Sequence, residues 1–152
     1  MKLKEINFHE IEFKPVINKE LNGTLINLSI KGDNITFQTP KLIIKEIFKD
    51  YLLVSLTNSF KEKVLNLEEH YSSHFKKVVS SLINNDYIVL KIKYSKDNPV
   101  LKVYDNSFDL INFYSLQKGD KVIVSVLNKC LWINNNTINT NLIIEEIMLI
   151  KE

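Results

Sequence analysis

Every one of the 20 basic side chains in this sequence is a lysine. Without a guanidinium fork, the chain has no planar bidentate grip on phosphate or guanine. An anionic partner must be held by flexible point charges, helped by rings and apolar contacts. Such a surface suits a binder that follows a nucleic-acid backbone better than one that reads bases. The densest basic and aromatic pattern lies in residues 87–104. In YIVLKIKY, Ile88, Leu90, Ile92 and Tyr94 share one parity while Lys91 and Lys93 share the other. In VLKVY, Leu101 and Val103 oppose Lys102 and Tyr104. The intervening SKDNP predicts a turn that would pair the two strands and gather Lys91, Lys93, Lys102 and Tyr104 on one face.

Rings available for stacking are Tyr94, Tyr104, Phe113, Tyr114 and Trp132, and each stacked base is worth about 1–3 kcal/mol whatever its identity. Tyr104 shares the parity of Lys102 and is the ring expected to be most exposed. Trp132 follows a continuous apolar strand and is expected to pack. Lys121, at the head of that strand, completes the candidate DNA-binding set with Lys91, Lys93, Tyr94, Lys102, Tyr104 and Trp132. The same pattern also reads as a solvated sheet face whose lysines guard an edge.

Other chemistries find little support. The sequence has no phosphate-cradling glycine loop, no H-E-x-x-H and no serine elbow. Its glycines, at 23, 32 and 119, read as turn residues. His70 and His74 share a helix face beside Glu69, but no third ligand follows at metal-site spacing, and His9 stands apart among glutamates. Glu145 and Glu146 are neighbours on a strand and point to opposite sides. The lone Cys130 allows neither an internal disulfide nor a multi-cysteine zinc site, and reads as core filling beside Leu131 and Trp132. A protein without catalysis, cofactor or metal is expected.

The elements that must position these residues read as strands, one helix, then more strands. Residues 24–30 and 35–37 flank a turn at Gly32-Asp33-Asn34, and Gln38-Thr39-Pro40 ends the extended run at an ordered corner. Residues 51–56 form another strand. Phe60, Val64, Leu67, Tyr71, Phe75, Val78 and Leu82 then recur at helical spacing, predicting a helix of roughly 24 residues. Ser59 and Glu62 would form its capping box, and Asn84-Asn85-Asp86 its stop. Lys118-Gly119-Asp120 turns into a strand over 121–133, and residues 141–150 form a terminal strand. With 152 residues, 45% hydrophobic and 25% charged, the chain is expected to fold as one domain over 1–152. The expected class is mainly β with one long inserted helix: an OB-like five-stranded antiparallel barrel with additional strands. A charge of +2 is too small to establish nucleic-acid binding by itself. The N-terminus lacks the pattern of a secretory signal, and no apolar run reaches membrane-spanning length, so an intracellular protein without membrane contact is expected.

The order of several motifs resembles a family of single-stranded DNA-binding proteins of nucleocytoplasmic large DNA viruses, related to the OB-fold single-strand binders of T7-like phages. The motifs are Ile35-Thr36-Phe37-Gln38-Thr39-Pro40-Lys41-Leu42, the strand Tyr51 to Leu56, Pro99-Val100-Leu101-Lys102-Val103, Lys118-Gly119-Asp120-Lys121-Val122, Leu131-Trp132-Ile133, and a closing strand through Ile147. The resemblance implies a nonenzymatic domain that coats or guides single-stranded DNA during viral replication, recombination or repair, with Lys102 facing the DNA. It implies a place in the host cytoplasm, at a viral replication factory, or in the nucleus, with viral replication proteins as further candidate partners; apart from the resemblance, a homodimer is a candidate assembly. The alternative function is a viral structural or protein-interaction domain that uses the same sheet without nucleic acid.

Overall fold

Segments in which buried and outward residues alternate dominate the computed structural model, which describes residues 1–16 and 23–151. In chain order, β1 spans Ile11–Val16, β2 Thr24–Ile30, β3 Ile35–Gln38, β4 Leu42–Ile47 and β5 Tyr51–Ser55. The helix α1, Asn58–Phe75, follows, then β6 Val78–Val79, β7 Ile83–Asn84, β8 Tyr87–Lys91, β9 Tyr94–Ser95 and β10 Asn98–Pro99. The remaining strands are β11 Lys102–Tyr104, β12 Leu110–Ile111, β13 Lys121–Asn128, β14 Cys130–Asn134, β15 Thr137–Thr140 and β16 Ile143–Ile150.

Five strands close into an OB-like barrel in the order β4, β5, β8, β16, β13 and back to β4. All contacts around this ring are antiparallel except the seam between β8 and β16, where Lys91 meets Ile143 in parallel and the Lys91 amide donates to the Leu142 carbonyl at 2.8 Å. The inner faces supply Leu42, Ile44, Leu52, Val54, Ile88, Leu90, Val122, Val124, Ile144 and Ile147, all buried. The fold is therefore mainly β with one inserted helix, a closed five-stranded barrel and additional strands, as the periodicity predicts.

The Thr39-Pro40 corner lets β3 and β4 share one edge of β13. Proline cannot donate to the ladder, so the buried Thr39 supplies the pairing from both backbone and side chain. Its amide donates to the Val124 carbonyl at 2.8 Å, and its hydroxyl accepts from the Val124 amide at 3.0 Å. A second sheet, in the order β1, β2, β14, β15, β6, adds Ile26, Leu28, Leu131, Ile133 and Ile138 to the same core.

The helix buries Phe60, Val64, Leu67 and Tyr71, a stripe at three- and four-residue spacing. Its boundaries differ from the expected ones. Thr57 is the N-cap, extended at ψ 154, and its hydroxyl accepts from the Phe60 amide at 3.3 Å, so Ser59 lies inside the helix. The helix has 18 residues and ends where Lys76 turns left-handed at φ 54. The chain then doubles back, because the buried Glu68 carboxylate accepts from the Ser81 hydroxyl at 2.6 Å and the Leu82 amide at 2.9 Å. Val78 and Leu82 continue the helical spacing in a segment that is extended, and Asn85, at φ 57, turns β7 into β8.

The expected strand over 121–133 is two strands in two sheets. Asn128, fully buried, accepts from the Tyr71 hydroxyl at 2.6 Å and donates to the Thr140 hydroxyl and the Asn141 carbonyl. This satisfied polar knot ends β13, and the Lys129 carbonyl accepts from the Leu28 amide as the chain crosses into the second sheet.

Candidate nucleic-acid interface

The outer face of the barrel follows from the parity of its strands. Between β5 and β8 the outward pairs are Tyr51 with Lys91, Leu53 with Val89, and Ser55 with Tyr87. On β4 the register shifts between Ile44 and Glu46, a bulge that re-aims the intervening Lys45. Its ammonium stands 5.5 Å from the centroid of the Tyr87 ring, a cation–π contact. Lys121 on β13 lies opposite Ile43 and extends this face sideways, and Lys118 neutralises Glu46 at 2.7 Å.

The hairpin joining β4 and β5 raises two rings at one end of this face. Phe48 and Tyr51 lie 4.6 Å apart between centroids, tilted by 34°, and are 43% and 38% exposed. The hairpin is braced from below. The Phe48 amide donates to the Tyr51 carbonyl, the Ile92 amide donates to the Asp50 carbonyl, and the Tyr94 hydroxyl donates to the Lys49 carbonyl. Tyr94 is thus a strut, half-buried with its hydroxyl engaged. Desolvation first, then the Tyr114 phenol and the Asp50 carboxylate, raise its pKa above the ordinary phenol range, so it stays a neutral donor. Lys91 and Lys93 are exposed beside the hairpin. Three rings, Phe48, Tyr51 and Tyr87, therefore share one surface with Lys45, Lys91 and Lys121, and Lys49 stands in the hairpin itself.

The expected turn at SKDNP forms, with Tyr94 opposite Pro99 and the Val100 amide donating to the Lys93 carbonyl at 2.7 Å, but the pairing does not run on to join β8 with β11. β13 occupies one edge of β16, so β8, which meets Ile143, and β11, which meets Glu146 to Met148, both lie on the other edge. They are collinear pieces of one barrel edge, about 10 Å apart along β16 by strand rise. The chain between them makes its own hairpin of β9 and β10. Lys102 consequently sits opposite Glu146, in a groove that Glu145 also lines, an acidic setting for a proposed phosphate ligand. Tyr104 is half-buried between Leu110 and Met148. Trp132 belongs to the second sheet, opposite Leu25 and Asn139, with Gly23 pressed against its ring. Of the seven candidates, Lys91, Lys93 and Lys121 share the barrel face with Tyr94 bracing it, while Lys102, Tyr104 and Trp132 lie elsewhere.

Phe48, Tyr51, Tyr87, Lys45 and Lys49 were not among the sequence candidates. A signal for Tyr87 exists in the sequence: it shares the parity of Lys91 and Lys93. Tyr51 likewise opens a strand whose alternate residues Leu52 and Val54 are buried.

The three histidines meet away from this face, where β1 and the turn Phe8–Glu10 pack on α1. The His9 and His70 rings are 5.6 Å apart, and Phe13 stacks on His74 at 4.1 Å. Among the described residues no three His, Cys, Asp or Glu side chains are grouped to hold a metal ion, and no helix is long and apolar enough to cross a membrane. No protein-family model and no curated protein matches the chain.

Proposed function

We propose that this chain binds single-stranded DNA, without strong sequence preference, across the outer face of β4, β5 and β8. The observation that carries the reading is the exposed Phe48–Tyr51 ring pair set among Lys45, Lys49 and Lys91. Unpaired bases offer π-faces to such rings, whereas in a duplex those faces are already stacked. Lysines supply attraction to phosphate without base readout, because the bidentate grip on guanine is best made by a fork that this chain lacks. The resemblance to viral single-strand binders is what favours DNA over RNA, and it extends the proposal to viral replication, recombination or repair.

Fluorescence anisotropy with a labelled oligonucleotide tests this directly, comparing single-stranded DNA, duplex DNA and RNA at two salt concentrations. Single-stranded DNA should bind most tightly, and affinity should fall with a logarithmic salt slope of roughly two to three for three or four phosphate contacts. Equal affinity for duplex and single strand, or no salt dependence, would sink the proposal.

A further inference from the structure

The most exposed large apolar side chain among the described residues is also one of the most constrained in backbone. Phe108 is 74% exposed and stands at φ 64, in the left-handed region that bulky residues avoid. Conformations of this kind persist only where the surroundings over-determine them. Here the Asp105 carboxylate accepts from the Ser107 amide at 2.9 Å and the Asp109 amide at 3.1 Å, and the Asp105 carbonyl accepts from the Phe108 amide at 3.0 Å. The neighbouring Asn106 side chain locks onto the backbone of Lys151 in both directions, donating at 2.8 Å and accepting at 3.0 Å. The ring gains almost no burial for this strain. The Phe108 backbone is fixed while the ring stands in solvent, in a loop that also carries Asp105 and Asp109, the arrangement of a preorganised aromatic anchor.

A surface of opposite character lies where the N-terminal residues meet the Thr39-Pro40 corner. A cavity of about 230 Å³ there is lined by the apolar Leu3, Pro40 and Phe60, by neutral polar side chains, and by Lys2, Lys4 and Lys63. No acidic side chain lines it, and none of the three lysines forms an ion pair among the described residues. We infer that the Phe108 loop of one molecule docks in the lysine-lined cavity of a second copy of this chain. In that contact the benzyl group meets Leu3, Pro40 and Phe60, and the acidic loop meets the three lysines. Because loop and cavity are different surfaces, the contact is heterologous. It needs no nucleic acid, and so does not stand or fall with the binding proposed above.

Sedimentation velocity over a wide concentration range at low salt tests the contact, using Phe108→Gly and the triple variant Lys2→Glu, Lys4→Glu, Lys63→Glu. The unsubstituted protein should show a sedimentation coefficient that rises with concentration, and each variant alone should lose that rise. An equimolar mixture of the two should regain association, since one partner keeps a sound cavity and the other a sound loop, and it should stop at a dimer. Phe108→Gly relieves the left-handed strain, so its melting temperature should be unchanged or higher. An unsubstituted protein that stays monomeric throughout, a mixture that does not associate, or a marked loss of stability in Phe108→Gly would each overturn the inference.

Discussion

Two kinds of residue decide this molecule: rings that face water and polar groups that do not. Tyr51 and Phe48 lie over a braced hairpin, packed on one another and otherwise facing solvent, so truncating one removes stacking without opening a cavity in the core. Tyr51→Ala is expected to weaken single-strand affinity by about 1–3 kcal/mol, roughly 5- to 150-fold, with little change in melting temperature. Anisotropy and calorimetry on the same preparation check both halves of that statement. Thr39 is the reverse case. Thr39→Val keeps the volume but leaves the Val124 amide buried without an acceptor, which should destabilise the fold by about 1–3 kcal/mol, read as a lower urea midpoint. The sequence announced the Thr39-Pro40 corner because proline's missing donor is a local fact. It announced Tyr87 too, through parity with Lys91, but a strand-opening tyrosine is as often core as surface, and parity alone does not say which face is wet.

At the scale of elements, the N-terminal segment on α1 carries its own pH dependence. Burial first, then His9, then His74, holds the His70 pKa below its ordinary value of 6.5. The folded state therefore resists a proton that the unfolded chain accepts. The contribution to stability is complete above the unfolded value and is lost as pH falls through it toward the lower folded value. Melting temperature should decline from pH 7.5 toward pH 5.5, and His70→Gln should flatten that decline; an unaltered profile in the variant would refute it. Many strand positions were legible, β8 and β11 from alternation and β2, β3, β5, β13 and β16 from apolar runs between turn residues, while the barrel strand β4, next to the Thr39-Pro40 corner, was not read. The helix was over-read at its C-terminus because Val78 and Leu82 extend its spacing by coincidence, while its true end depends on Glu68 catching Ser81 and Leu82. Likewise the run 121–133 is nearly continuous in apolar residues, and the buried positions pass from even numbers, ending at Asn128, to odd ones at Leu131 and Ile133 only where the chain changes sheet.

For the whole molecule, the pattern of charge matters more than its sum. A formal charge of +2 is nearly neutral, yet Lys45, Lys49 and Lys91 gather around one set of rings while Glu145 and Glu146 lie beside Lys102. Replacing Lys45, Lys49 and Lys91 together by alanine should lower the logarithmic salt slope for single-stranded DNA by about two, at about 0.7 per phosphate contact released. Salt titrations of the variant and the unsubstituted protein give that difference. Retention of the full slope would move the interface to another face. The site was only half legible because its composition depends on which distant strand borders which. Lys91 and Lys102 sit in strands that look like natural hairpin partners, and the separation comes from β16, some forty residues further along the chain.

That terminal strand serves three neighbours at once, bordering β13 along one edge and β8 and β11 along the other. Vectorial synthesis delivers it after all three of these partners. While residues 143–150 are still inside the ribosome, three earlier strands must wait with unpaired edges, open to association with other nascent chains. The ring therefore closes only after β16 has emerged, and a chaperone that shields bare strand edges would act most usefully in the interval before that.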